Sequence, residues 1–554
     1  MTISERRPLG VRYGGRLLLI VICLLLVWWA IGFILRSSFV AVDGERYFSL
    51  FDDAMISMRY AWNLAHGAGP VWNPGEPVEG YSNPLMVAGM AIPALFLDKT
   101  AAVLAVQASG VLLLVGIGLI SVAIFRDLMS RAAHPEKSLP EAFVFLAAAA
   151  YYPLAYFTLM GMETGLLSLL VTAQVYVAFR CARSGSVRLA VWVGVLAGLA
   201  YLARADSVLF SIAILVYLWV AGRSRKLGLR GAELAFWAAA ILVGVVLLHR
   251  LWALSYYGSI LPNTYTLKLE GVPLQVRLVD GSRFVYRYLL QVWPVALLAF
   301  AEVIFDAQRE KLLMGSLVAL ALGYQVWVGG DPWPYWRMMA STWPMMIMLA
   351  LTGLEALLRA VDQSALSVNF LRRRPLVSYR HGLSIVGCLA VGILLFSANE
   401  PFKKQIAGLE GIYTVDLNLK AVNEAVAINR VTAESASVGS IWAGAIPYYT
   451  GRYAVDFLGK SDPRIARLSP DLSGAVSWGG LSSVPGHNKY DLDYSIATLQ
   501  PTYVQSLGWG RDDLSSLADS VYVEVYVRYP GRETIPLYLL RDSPNVKWSE
   551  VFIP

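Results

Sequence analysis

The chain has 554 residues, 57% of them hydrophobic and 15% charged, with a mean hydropathy of +0.54; soluble domains carry about a quarter charged residues, so a soluble globule is excluded. The net charge of +7 sits mostly at the ends of apolar runs, which argues against a nucleic-acid partner. The three cysteines, Cys23, Cys181 and Cys388, all fall inside such runs, excluding a disulfide framework or a thiolate metal cage.

The first apolar run, 17–36, follows Arg6, Arg7, Arg12 and Arg16, and no small-residue cleavage site follows it, so it reads as a retained anchor. Ten further spans are predicted at 101–125, 141–159, 163–180, 188–203, 207–222, 233–256, 287–305, 312–329, 338–358 and 382–398. The apolar stretch 85–97 is too short to cross and is expected to lie on the membrane surface. With it there, the segments 1–16, 126–140, 180–188, 223–230, 306–311 and 359–381 hold 21 Lys and Arg, against 8 in the segments between them on the other side. That bias places the N-terminus in the cytoplasm and everything after about residue 398 outside.

Five polar clusters then fall on the outer side. The first, in loop 37–100, begins Phe51-Asp52-Asp53 and runs through Arg59 to a Gly- and Pro-rich stretch containing Glu76 and Glu79. A carboxylate at the membrane surface can take a proton from a hydroxyl; equally, Asp52 can cap the helix that 53–64 is expected to form. Adjacent in sequence, Asp52 and Asp53 should point in different directions. The second cluster is Gly161-Met162-Glu163-Thr164-Gly165, where Glu163 serves either a site or the positive end of a helix. The third is Arg204 with Asp206, which can simply neutralise each other. The fourth, 256–268, ends in Lys268, and the fifth, Gly329-Gly330-Asp331-Pro332-Trp333-Pro334-Tyr335-Trp336-Arg337, combines a carboxylate, aromatic rings and a guanidinium. Lys268 and Arg337 suit a phosphate whose negative charge grows during reaction. The rings could stack on sugars or form an interfacial belt.

The five histidines have no ligand spacing, no nucleophile elbow is present, and the acids gather in outer loops rather than mid-span as in a carrier. Asp52, Asp53 and Glu163 could gather a divalent cation, a point that spacing leaves open. Beyond residue 398 the chain resumes soluble composition. Strands are predicted at 437–442, 452–457, 502–507, 521–527 and 535–540 and a helix at 418–428, a small α/β domain.

In their order these motifs resemble the GT-C class of polyprenyl-phosphate-dependent glycosyltransferases. More narrowly, the run from Asp52-Asp53 through Arg59 to Gly75-Glu76-x-Val78-Glu79, with Glu163, Arg204, Lys268, Gly330-Asp331, Arg337 and Gly486-His487-x-Lys489, resembles mycobacterial terminal arabinofuranosyltransferases of the arabinan-capping family. Ala205-Asp206 departs from that family's pattern after its arginine, and the tail is shorter. The resemblance implies a GT-C transmembrane domain over 1–398 with about eleven helices and a catalytic first loop, and a periplasmic domain over 399–554 that binds acceptor or shapes a groove. It implies a bacterial inner-membrane enzyme that moves a pentofuranose, D-arabinofuranose in the family, from a decaprenyl-phosphate-like donor to a cell-envelope glycan. Asp53 or Asp52 would be the base. Arg59, Glu163, Arg204, Lys268, Asp331 and Arg337 would hold phosphate and sugar, and Glu76, Glu79, His487 and Lys489 the acceptor. A protein acceptor such as pilin, a flippase or carrier of lipid-linked sugars, and an assembly protein without activity are the alternatives.

Overall fold

The computed structural model describes residues 9–130, 139–221, 230–367, 376–531 and 533–553. Four of the basic segments used for topology, 1–16, 126–140, 223–230 and 359–381, lie partly outside them. The described chain is a helical bundle topped by a five-stranded sheet. Each predicted span falls on a helix. Among the described residues seven helices are long and apolar enough to cross a membrane, or nine if two bent pairs each count once; Val187–Ala203 and Ala205–Ala221 are shorter. This is a multi-pass membrane protein.

Two predicted spans are not single rods. Glu141–Ala149 and Tyr152–Leu159 meet at 61°, and Leu274–Gln291 and Trp293–Phe305 meet at 93°. Each break comes just before a proline, Pro153 and Pro294, whose missing N–H and ring interrupt the helical ladder. The Leu274–Gln291 helix has one apolar and one arginine-rich face, the pattern of a helix lying along an interface. The 11-residue helix Pro84–Ala94 also cannot span, and the exposed Ile92, Leu95 and Phe96 cluster at its end. Small residues set the close approaches. A Cβ on Gly194 would stand 2.6 Å from the Ala238 carbonyl and one on Gly281 2.5 Å from that of Gln325, so neither crossing admits a larger side chain.

In the tail, all five predicted strands form one sheet, in the order Tyr453–Asp456, Ser437–Ser440, Tyr503–Val504, Ile535–Leu540, Tyr522–Val527. The first three are mutually parallel; the last two are antiparallel neighbours. Val523, Val525 and Val527 face the core while Glu524 and Tyr526 are less buried, the period of two that the sequence showed. The predicted helix is Val415–Val431, which lies against the sheet through Val422, Ala425 and Ile428. One apolar cluster runs from Phe33 of the first span through Phe51 to Leu539 of the sheet. Polar ties cross the same boundary: Asn418 donates to the Leu50 carbonyl at 3.0 Å, and Asn423 accepts from the Val42 amide at 3.0 Å. The tail is therefore packed down on the first loop.

Candidate active site

The first loop turns into a helix at Asp52, with both aspartates in its first turn, where carboxylates meet the positive end of the helix. Phe51 holds the cap position, so Asp52 is not the cap. Its Oδ1 instead accepts the Gly444 amide of the tail at 3.1 Å, and it lines a different cavity from Asp53.

Asp53 is gripped from two directions. Arg337 Nη1 donates to its Oδ2 at 2.7 Å, and the Lys460 ammonium donates to its Oδ1. Arg337 also spans to Asp331, Nε to Oδ2 at 2.9 Å. The backbone that aims Arg337 is unusual: Gly329 and Gly330 have φ of +95° and +81°, and Tyr335 and Trp336 follow at +72° and +56°. Left-handed non-glycine residues each cost about 1–3 kcal/mol and persist only where the surroundings hold them. Here Trp336 donates to Gln291, Tyr335 and Gln405 are hydrogen-bonded to each other, and both rings are packed.

Lys460 was not foreseen. It follows the Tyr453–Asp456 strand, and Asp456 shapes its loop by accepting the amides of Leu458, Gly459 and Ser461 at 3.1, 3.2 and 2.7 Å. Asn263, opening the helix that carries Lys268, donates to the carbonyls of Gly459 and Lys460, both at 2.9 Å. The first loop, the 256–268 turn and the tail thus meet at one place. The available signal was Asp456-Phe457-Leu458-Gly459-Lys460-Ser461-Asp462, a strand ending in a glycine and charges.

Between these groups lies a cavity of about 170 Å³, lined by Asp53, Arg204, Lys268, Asp331, Arg337, Lys460 and His487, with Leu269, Tyr324, Val328 and Met338 making an apolar side. A smaller polar pocket beside it adds Ser57, Asn83 and Glu163. Burial alone would raise the Asp53 carboxyl, but Lys460, Arg337 and Lys268 outweigh it and hold it well below the usual carboxylate range. Lys268 has no hydrogen-bond partner among the described residues; burial lowers its ammonium to about 8, against the opposing pull of Asp53. Burial, with Lys460 nearby, lowers His487 to about 3, so it faces the cavity as a neutral ring. Asp52 is pushed up to about 7 by burial, with Asp53 adding to the rise and Lys460 opposing it.

The other expected site residues divide. Glu163 and Arg204 pair at 2.8 Å, and Arg204 also takes Asp206 at 2.7 Å, so this guanidinium answers two carboxylates at the edge of the cavity. Arg59 does not face the cavity. It is buried, donates to the carbonyls of Trp72, Pro447 and Arg452 and to Asn73 Oδ1, and lies over the Trp72 ring. All three nitrogens donate, two bonds staying within the first loop and two clamping it to the tail, so the phosphate role expected for Arg59 does not fit its position. Glu79 is buried against Arg250 at 2.9 Å, and Lys489 is buried donating to the carbonyls of Thr266 and Ala466 at 2.9 and 2.8 Å. Neither presents its charge to a ligand. Glu76 is exposed and accepts from Tyr453 at 2.8 Å, away from the cavity. Asp52, Asp53 and Glu163 do not converge, and no set of three His, Cys, Asp or Glu suited to a metal occurs among the described residues.

Comparison with known proteins adds three findings. A family model described as a domain of unknown function (DUF8728) matches residues 413–538, the helix and most of the sheet of the tail. No curated protein matches the chain. Among solved structures, ArnT from Cupriavidus metallidurans bound to undecaprenyl phosphate is 14% identical, covering 96% of this chain and 98% of its own, with a TM-score of 0.49. The oligosaccharyltransferase of Archaeoglobus fulgidus in the apo form is 12% identical, covering 96% of this chain and 75% of its own, with a TM-score of 0.50. The last likeness, spanning nearly the whole chain, shows that the protein has the GT-C fold, with a sheet-containing C-terminal domain.

Proposed function

We propose that this protein is a membrane glycosyltransferase that moves a sugar from a polyprenyl-phosphate donor to an extracytoplasmic acceptor, with Asp53 as the base. The observation that carries the reading is Asp53 held between Arg337 and Lys460 on a cavity where Lys268 has no hydrogen-bond partner among the described residues. Three cations around one carboxylate, beside an apolar wall, suit a lipid-linked phosphate. The GT-C fold supports the same class.

In the reaction the acceptor hydroxyl oxygen attacks the anomeric carbon. The bond from that carbon to the phosphate oxygen breaks, its electron pair leaves with the polyprenyl phosphate, and the hydroxyl proton passes to Asp53. The donor phosphate carries one negative charge and Asp53 another; afterwards the phosphate carries two and Asp53 none. Negative charge therefore migrates across a fixed group of cations, which need no reorganisation. Donor binding also turns Asp53 into a better base, because the negative charge of the phosphate offsets the field of Arg337, Lys460 and Lys268 and the proton affinity of Asp53 rises. Asp331 fixes Arg337, and Glu163 with Arg204 borders the sugar end.

The finer reading, from the sequence resemblance, is a pentofuranose donor, D-arabinofuranose, a periplasmic glycan acceptor and a cytoplasmic N-terminus. The test is purified protein in lipid nanodiscs with labelled decaprenyl-phosphate arabinofuranose and arabinan oligosaccharides. Product formation is expected. Vectorial movement of donor across liposomes without turnover would replace the enzyme by a carrier, and turnover only with a pilin acceptor would replace the glycan.

A further inference from the structure

Asp52 and Asp53 open onto two cavities divided by Phe51 and Trp333, whose rings meet edge to face at 4.9 Å. The second cavity, about 290 Å³, lies between the first loop, the Val415–Val431 helix and the sheet, and its walls include Asp52, Trp333, Glu424, Trp442 and Gln505. It is near the lower end of the ~300–1,000 Å³ typical of ligand sites. Its position obeys a general rule. The parallel strands Ser437–Ser440 and Tyr503–Val504 leave the sheet at this cavity, delivering Trp442 and Gln505 just past their carboxyl ends, where open α/β sheets bind ligands.

The lining differs from that of the donor cavity. Its carboxylates, Asp52 and Glu424, face one lysine, Lys420, whose side chain is 75% exposed and 4.0 Å from Glu424. A phosphate or other anion would face two carboxyl groups here, with its one cation, Lys420, mostly in solvent. A neutral polyol carries no charge to set against them, and it would find what it needs. The Trp442 and Trp333 indoles line it and supply apolar surface for the C–H side of a sugar ring. Gln505 uses its Oε1 on the amides of Ile441 and Trp442, both at 3.0 Å, which fixes the side-chain amide in place, and Glu424 accepts from Tyr503 at 3.1 Å. Carboxylate and amide groups held in this way are suited to neighbouring hydroxyls.

We infer that this second cavity seats a neutral saccharide unit of the acceptor, so that the tail recognises the acceptor glycan across the Phe51 and Trp333 wall from the donor. The inference rests on the proposed glycosyl transfer, and binding measurements separate the two. The full-length protein in nanodiscs is titrated with methyl arabinofuranoside, methyl galactofuranoside and methyl glucopyranoside by saturation-transfer NMR, and separately with decaprenyl phosphate. Saturable binding of at least one glycoside is expected. Trp442→Ala and the cavity-filling Ala421→Trp should each weaken it about tenfold or more, as the loss of a stacked aromatic contact does, while decaprenyl phosphate binds as in the wild type. That unchanged lipid binding also reports that the variants are folded, and Trp442→Phe should fall between wild type and Trp442→Ala.

Glycoside binding that survives both Trp442→Ala and Ala421→Trp, or that disappears only in Lys268→Ala, would overturn the saccharide site. So would a wild type that binds decaprenyl phosphate but none of the three glycosides. A wild type that binds a glycoside through Trp442 but no decaprenyl phosphate would uphold the site and sink the lipid-phosphate donor.

Discussion

At the scale of single residues, the two aspartates can be told apart by what surrounds them. Asp53→Asn keeps the size of the side chain but has one acceptor oxygen where Asp53 offers one each to Arg337 and Lys460, and it removes proton acceptance. Transfer should fall by about two to four orders of magnitude in kcat, with donor affinity retained, in a single-turnover assay; an Asp53→Asn enzyme that turns over like the wild type removes the base. Asp52→Asn should instead raise the KM for acceptor. Lys268 supplies a pH signature. Its ammonium, lowered by burial to about 8, is charged below that pH and neutral above it. Donor affinity should therefore be constant below about pH 7 and fall as pH rises through 8, and Lys268→Arg should abolish the fall. Lys268→Ala should lose about ten- to a hundredfold in donor affinity at pH 7, the worth of one charge-assisted contact. A flat profile in the wild type would detach Lys268 from the phosphate. Asp53, Lys268, Asp331 and Arg337 were legible in the sequence because acids and cations beside apolar runs are costly unless used. Lys460 was not, since in a soluble-composition tail one more lysine carries no such cost.

At the scale of elements, pattern reading succeeded where period and length decide and failed where direction decides. The strands and the Val415–Val431 helix follow from apolar periodicity, and the 11-residue helix Pro84–Ala94 from length. Hydropathy alone marks an apolar run without its bend, so the 61° and 93° breaks were invisible although Pro153 and Pro294 stood there. Arg59 shows the same limit: a basic residue near two aspartates reads as a phosphate ligand, yet on its helix it points away from them into carbonyls of the tail. That placement makes a distinct prediction. Arg59→Met leaves several buried carbonyls without donors, at about 1–3 kcal/mol each, so thermal or denaturant unfolding should show a large loss of stability. Donor affinity in the fraction that remains folded should be near that of the wild type. A stable Arg59→Met protein with weakened donor binding would restore the phosphate role. The Gly330 turn gives a second case. A Cβ at φ +81° would stand 2.8 Å from the Phe284 Cβ, and the side chain is disfavoured there anyway, so Gly330→Ala should displace Asp331 and Arg337 and lower donor affinity along with stability.

At the scale of the whole molecule, the membrane part does not contain a complete site. Asp53, Lys268, Asp331 and Arg337 come from segments that join the membrane helices on the side of the tail, but Lys460 and His487 come from the tail, and the apolar core is continuous between the two. Cutting the chain near residue 399 would remove a counter-ion of Asp53 and uncover Phe51, so loss of transfer in that truncation cannot by itself separate a missing cation from a collapsed loop. Lys460→Met in the full chain can. It keeps the length and packing of the side chain and deletes its charge, so the tail stays docked. With one fewer cation, the phosphate should bind about tenfold or more weakly. Asp53, relieved of the first of the cations that hold it down, should titrate closer to the ordinary carboxylate range. The acid limb of the transfer rate should then move to higher pH, whereas a purely structural Lys460 would leave it where it was. Truncation and Lys460→Met losing donor affinity alike, with only the latter still binding glycoside, is the pattern expected if the tail completes the donor cavity with one residue and holds the acceptor with others.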